Sequence, residues 1–174
     1  MKTVLWIGGW AIPPGWGLGI VREQFPELSH EWRVPGPDAL HGAEEFDRLA
    51  GYSLGASLLM RAGLGARALL LAPFADFKKE SGQGGRVSGT QLRQVRRWLA
   101  RDALGALNDF YERTGLGLRV SELPYDMDAL DWGLEQLMAD VSGACAADCR
   151  AYVGAEDALL DSSGLLPFFN KTQQ

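Results

Sequence analysis

Histidine and cysteine are both scarce in this chain of 174 residues, with two of each: His30 and His41, Cys145 and Cys149. Two cysteines are too few for a disulfide framework. A Cys-x3-Cys pair with no histidine beside it is also a poor zinc site, because zinc takes four ligands of those types. The thiols therefore read as small hydrophobes, and no metal is expected. No run of about 18 uncharged apolar residues is present to span a bilayer. The opening Met1-Lys2-Thr3-Val4-Leu5-Trp6-Ile7 runs into Gly8-Gly9 and not into a signal-peptide cleavage site, so the chain reads as cytoplasmic and off the membrane. Positive charge is also in deficit: the net charge of −5 gives no general reason to bind nucleic acid or an anionic surface.

Apolar residues are plentiful, at 47% of the chain, enough for one sizeable core and one domain over residues 1–174. Lys2 to Ile7 is a continuous apolar run closed by glycines, as in a strand covered on both faces. After Pro13-Pro14-Gly15 a helix is expected over Gly17 to Phe25, then a short strand over Glu31 to Val34, with Asp38 capping a brief helix. Asp47 to Tyr52 reads as a strand, Leu54 to Ala62 as a helix and Ala66 to Ala72 as a strand. Strand, turn and helix recur, which predicts an α/β fold with a parallel sheet and working residues at the carboxyl ends of its strands. From Asp76 to about residue 140 charge rises and helical patterns dominate, over Thr90 to Arg101, Leu104 to Thr114 and Met127 to Ala139. Arg150 to Gly154 returns to a strand, so the helices form an inserted cap over the sheet. Gly82-Gln83-Gly84-Gly85 reads as a mobile loop in the insert.

The strongest chemical signal is Gly51-Tyr52-Ser53-Leu54-Gly55 between a strand and a helix. A serine on such a turn is strained, with its hydroxyl aimed into the cleft and small neighbours letting the chain pass. The helix start places N–H groups beside it, and Leu54 N–H is the first oxyanion donor. The second donor is expected after the first strand, where Gly8-Gly9-Trp10 nominates the Trp10 N–H.

These segments, with the helical cap, Leu130-Asp131-Trp132-Gly133-Leu134-Glu135-Gln136-Leu137 and Tyr152-Val153-Gly154-Ala155-Glu156-Asp157, resemble the α/β-hydrolase superfamily. Within it the likeness is to the pimeloyl-acyl-carrier-protein methyl ester esterases of biotin synthesis. The resemblance implies Ser53 as nucleophile, Trp10 and Leu54 as oxyanion amides, Asp157 as triad acid, and cleavage of a methyl or short acyl ester without a cofactor. Asp157 also suits that role by its place three residues after Gly154, in a turn following a strand; Glu156 and Asp161 are its rivals. Family members usually carry a histidine before Gly-Trp where this chain has Gly8.

The triad order of this fold puts the base last, after a further strand, yet no histidine follows Asp157. The expectation is an incomplete chain, lacking the final strand and its histidine loop and leaving an exposed sheet edge prone to dimerise. His41, after the second strand, is the possible substitute base; His30 should lie at the opposite edge. A second function, that of an inactive hydrolase-like binding protein, stays open.

The cap also carries Arg93, Arg96, Arg97 and Arg101 at helical spacing, preceded by Lys78, Lys79 and Arg86. Such a face suits the phosphate of a phosphopantetheine group or an acidic acyl carrier protein, or is simply solvated. Trp98, Phe110, Tyr111 and Trp132 are expected to pack on the sheet or line an acyl pocket.

Overall fold

The structure, a computed structural model, describes residues 1–140, 149–165, 169 and 171–173. Its strands are β1 (Thr3–Ile7), β2 (Ser29–Arg33), β3 (Arg48–Tyr52), β4 (Ala68–Leu71), β5 (Arg150–Tyr152) and β6 (Lys171–Gln173). They form one sheet of order β2-β1-β3-β4-β5-β6, and every neighbouring pair is parallel. The chain lays β2 on one side of β1 and β3 on the other. The topological switch point, where α/β sheets open a crevice, therefore lies between the carboxyl ends of β1 and β3.

Alternation along the strands divides the apolar residues between two faces. Leu5, Ile7, Leu49, Ala68, Leu70 and Ala151 belong to the main core, with Leu54, Ala56 and Leu59 of α2 (Leu54–Arg61). Val4, Trp6 and Ala50 face the other way, with Val21 of α1 (Pro14–Gln24). Gly17 of α1 is there because of Trp32: a Cβ on it would stand 2.5 Å from the indole. Three cap helices lie between β4 and β5: α3 (Gly89–Arg101), α4 (Ala103–Thr114) and α5 (Met127–Met138). Each starts where a side chain satisfies a free helix N–H. Ser88 and Gln91 close a reciprocal capping box on α3, while Asp102 and Asp126 accept from Gly105 N–H and Ala129 N–H. A short helix, α6 (Ser162–Leu165), follows β5.

Four expectations need correction. The first helix starts at Pro14, because proline at the first helical position sacrifices no hydrogen bond. Asp38 caps no helix; its carbonyl closes a turn with His41 N–H, and a 3-10 turn follows over Ala43–Glu45. Gly82–Gly85 is no free loop, since Gly84 is buried under Leu165, Gly85 bridges to Leu160, and Gly84 O accepts from Asp161 N–H at 2.7 Å. The expected missing strand is represented by β6, so the sheet edge is β6 and not β5. Among the described residues no helix is long and apolar enough to cross a membrane. Cys149 is buried; Cys145 lies outside the described residues.

Candidate active site

The turn from β3 into α2 holds Ser53 at φ 53°, ψ −113°. This is a strained backbone for any residue with a Cβ, and it persists only where the surroundings enforce it. Here close backbone approach enforces it. A Cβ on Gly51 would stand 2.6 Å from the Ala56 backbone, and one on Gly55 would stand 2.0 Å from the Ile7 carbonyl oxygen and 2.6 Å from that of Gly8. The start of α2 is thus pressed against the end of β1, which sets the Leu54 N–H beside the Gly8-Gly9-Trp10 loop.

That loop closes a turn in which Ile12 N–H donates to Gly9 O at 3.3 Å. Among the described residues, neither the Trp10 nor the Leu54 N–H has an acceptor, although both residues are buried. The Trp10 ring is fixed by the cap: its Nε1–H donates to Leu130 O at 2.8 Å, and Phe110 meets it edge-on with centroids 4.8 Å apart. Gly133, in the middle of α5, makes room for that ring, since a Cβ there would stand 2.5 Å from Trp10 Cδ1.

Asp157 follows β5 in a tight turn. Its Oδ1 accepts from Leu159 N–H at 2.8 Å and Leu160 N–H at 2.9 Å. Arg86 braces the turn from the cap side, with a guanidinium N–H donating to Asp157 O at 2.9 Å and its own N–H donating to Leu159 O at 2.9 Å. Burial, and next the charge of Asp157, push the Tyr52 phenol above its ordinary range. Of its rivals, Glu156 is exposed at the same cleft, whereas Asp161 is turned away onto the Ser163 N–H and hydroxyl.

Trp10, Ser53 and Asp157 line one cleft of about 120 Å³, walled by Ile12, Phe77, Phe110 and Leu160. A cavity of about 150 Å³ holds a benzene, so this one takes a group of only a few heavy atoms. The residues that face it at Ser53 and Ala72 both have positive φ without being glycine, and Ala11 beside it is the third such residue.

Neither histidine reaches this cleft. His41 is exposed on the loop after β2 and is held through its backbone, its N–H donating to Asp38 O at 3.0 Å and its carbonyl accepting from Arg33 at 2.5 Å. His30 does not precede β2 but lies within it, in register with Val4 near the amino end of β1. Both its ring nitrogens are engaged: Nδ1 accepts from Trp6 Nε1–H at 3.1 Å, and Nε2 lies 2.9 Å from Phe25 O.

The arginine row divides. Arg96 is committed to Asp131 and Glu135 of α5, each at 2.6 Å, and these contacts hold its proton above even the usual arginine range. Arg93 donates to Thr90, while Arg97 and Arg101 are exposed with no ion pair among the described residues. Lys78 is turned inward, to Asp140 at 2.6 Å and Asp76 at 3.4 Å, and is no part of an anion-binding face.

Sequence reasoning missed the roles of Arg86 and Gly133. The second had a signal, because glycine inside a helix costs about 1 kcal/mol relative to alanine and calls for a packing reason. Arg86 had none, since the segment it braces is some 70 residues away.

No family model matches the chain, and no curated protein sequence matches it. Solved structures do match. An N-formylmaleamic acid deformylase from Pseudomonas putida superposes with a TM-score of 0.62 at 13% identity, over 99% of this chain and 82% of that one. DcsB, in complex with its substrate analogue, gives a TM-score of 0.47 at 14% identity over 98% and 79%. The architecture is therefore the α/β-hydrolase fold, with helices capping a parallel sheet.

Proposed function

We propose that the protein is a serine hydrolase that cleaves a small carboxylic ester through an acyl-enzyme at Ser53. The observation that carries this reading is the strained Ser53 turn, which lines a narrow cleft together with Trp10 and Asp157, while the Trp10 and Leu54 N–H groups have no acceptor among the described residues. A strain of this kind costs about 1–3 kcal/mol and is kept where function needs it.

The chemistry follows. Ser53 Oγ attacks the ester carbonyl carbon and loses its proton to a base, while the carbonyl π electrons move to oxygen. The Trp10 and Leu54 N–H groups hold that oxyanion. Collapse expels the alcohol, which takes up the proton from the base, and water then releases the acyl group by the same steps in reverse. The base belongs between Ser53 and Asp157. Tyr52, Leu71, Tyr152 and Gln173 stand in one register row across β3, β4, β5 and β6, about 4.8 Å apart from strand to strand. In this reading the base is an imidazole held on that edge, and neither His30 nor His41 supplies it.

A carrier-linked methyl ester is the more specific form of the proposal. It would place the phosphate of the carrier arm on Arg93, Arg97 and Arg101, with Arg96 excluded by its ion pairs. The competing reading is a binding protein with the same cleft and no base, favoured by the placement of both histidines away from it. Hydrolysis of p-nitrophenyl acetate by the protein and by Ser53→Ala, each with and without added imidazole, separates them. Activity that Ser53→Ala abolishes supports the hydrolase; no Ser53-dependent activity under either condition supports binding.

A further inference from the structure

The cleft at Ser53 carries charge of one sign. Among the described residues, Glu156 and Asp157 are the charged ones that line it, and both are acidic. Asp157 Oδ1 is bound by the Leu159 and Leu160 N–H groups, while its Oδ2 has no hydrogen bond among the described residues. Glu156 is exposed at the cleft and has neither a hydrogen bond nor an ion pair among those residues. Arg86 meets the same turn at the Asp157 carbonyl, but it does not line the cleft. No described lysine or arginine therefore stands in the cleft to offset the two carboxylates.

The rest of the lining favours the same sign of ligand. Trp10, Tyr52, Phe77 and Phe110 bring four aromatic rings to it. A ring attracts a cation through its negative face and offers an anion nothing comparable there. Apolar walls focus the field of the carboxylates at the opening, and the net charge of −5 adds to it at longer range. At about 120 Å³ the cleft admits only a small group such as an acetyl, so the remainder of a substrate stays at the mouth with Glu156. A carboxylate or phosphate at that mouth meets repulsion with no counter-charge, whereas an ammonium group meets attraction.

We propose that the cleft selects its substrate by charge, with Glu156 as the specificity-determining residue: esters with an ammonium group at the mouth are preferred to uncharged ones, and anionic ones are rejected. The catalytic part of this proposal rests on the serine hydrolase reading above, whereas the binding part does not need Ser53. In such an ester Ser53 Oγ takes the acyl group, and the ammonium-bearing alcohol leaves with the proton returned by the base. A carrier-linked methyl ester counts here as an uncharged one, because its phosphate would lie out on the cap arginines.

The test pairs a binding measurement with a kinetic one. Tetramethylammonium and tert-butanol, of like size and shape, are titrated into the protein while the NMR signal of the Trp10 indole N–H is followed, since that ring lines the cleft. Tetramethylammonium is expected to bind about fivefold more tightly at low salt, the scale of a cation held by rings and a carboxylate at an exposed site. The preference should fall toward one in Glu156→Gln, and toward one in the unmodified protein in about 0.5 M salt. Glu156 is exposed and unpartnered among the described residues, so the substitution breaks no contact on which folding depends. In hydrolysis with imidazole added as base, choline acetate should exceed its uncharged isostere 3,3-dimethylbutyl acetate about fivefold in kcat/KM, and acetoxyacetate should fall below both. Glu156→Gln should narrow that spread, whereas an equal loss for all three esters would make Glu156 a catalytic acid and not a selector. No response of the Trp10 signal to tetramethylammonium, equal affinity for the two probes, or a preference that survives Glu156→Gln overturns the proposal. Ser53-dependent hydrolysis without a preference for the cationic ester overturns charge selection of substrates and leaves the hydrolase reading intact. No Ser53-dependent hydrolysis of any of the three overturns the hydrolase reading, and the titration still decides whether the cleft selects by charge.

Discussion

Ser53 is held against its own backbone preference, and this can be measured. Glycine at the position removes the steric cost of φ 53°, whereas alanine keeps it. Ser53→Gly is therefore expected to be more stable than Ser53→Ala by about 1 kcal/mol in urea denaturation, with both lacking Ser53 chemistry. Equal stability would mean that the turn is not strained. The flanking glycines behave in the opposite way. Gly55→Ala drives a methyl into the Ile7 carbonyl and Gly51→Ala drives one into the Ala56 backbone. Each should cost about 2–3 kcal/mol, the range of severe overpacking. The Ser53 motif was legible in the sequence because its residue types answer local sterics. The Ala11 strain was not legible, because nothing in Gly-Trp-Ala-Ile announces that Tyr125 and Tyr111 of a distant insert will bond the Ala11 N–H and carbonyl.

The cap is held to the sheet by polar contacts whose dependence on conditions differs. Lys78 is enclosed, and burial alone would lower its pKa, but the bond to Asp140 and the charge of Asp76 outweigh burial and hold it raised. The same contact with Lys78 lowers Asp140. A raised lysine contributes stability that is fully present below its unfolded pKa of about 10.4 and lost as pH rises through the folded value. A lowered aspartate contributes stability present above about 3.9 and lost as pH falls through its folded value. The difference in melting temperature between the protein and Lys78→Met should hence be constant from about pH 5 to 10 and shrink on either side. A difference that changes steadily through pH 7 would contradict this assignment. Arg96 joins α3 to α5 across partly exposed ion pairs, so Arg96→Ala should cost no more than about 1 kcal/mol, and less in high salt. The three cap helices were readable from helical periodicity, within one residue at each end. Strand β6 was not, because Lys171–Gln173 is short and polar and forms only where β5 offers an edge.

The molecule as a whole gathers three separate chain regions at one edge of its sheet: the loop after β1, the turn after β3 and the turn after β5. Parallel topology and the reversal of strand order dictate that edge, and the alternation of strand and helix in the sequence was enough to foresee it. What periodicity could not show is how the far regions lock together, with Tyr111 and Tyr125 on the first, Gly55 against the end of β1, and Arg86 on the third. Ser53 and Asp157 both line the cleft so enclosed, and in the hydrolase reading a base acts between them. Imidazole added to the solution is the most direct probe of that base. With p-nitrophenyl acetate as substrate, imidazole is expected to raise hydrolysis by the chain well above the rise seen with Ser53→Ala, with saturation as the cleft fills. An identical, linear dependence on imidazole in the two proteins would mean that Ser53 is not a nucleophile.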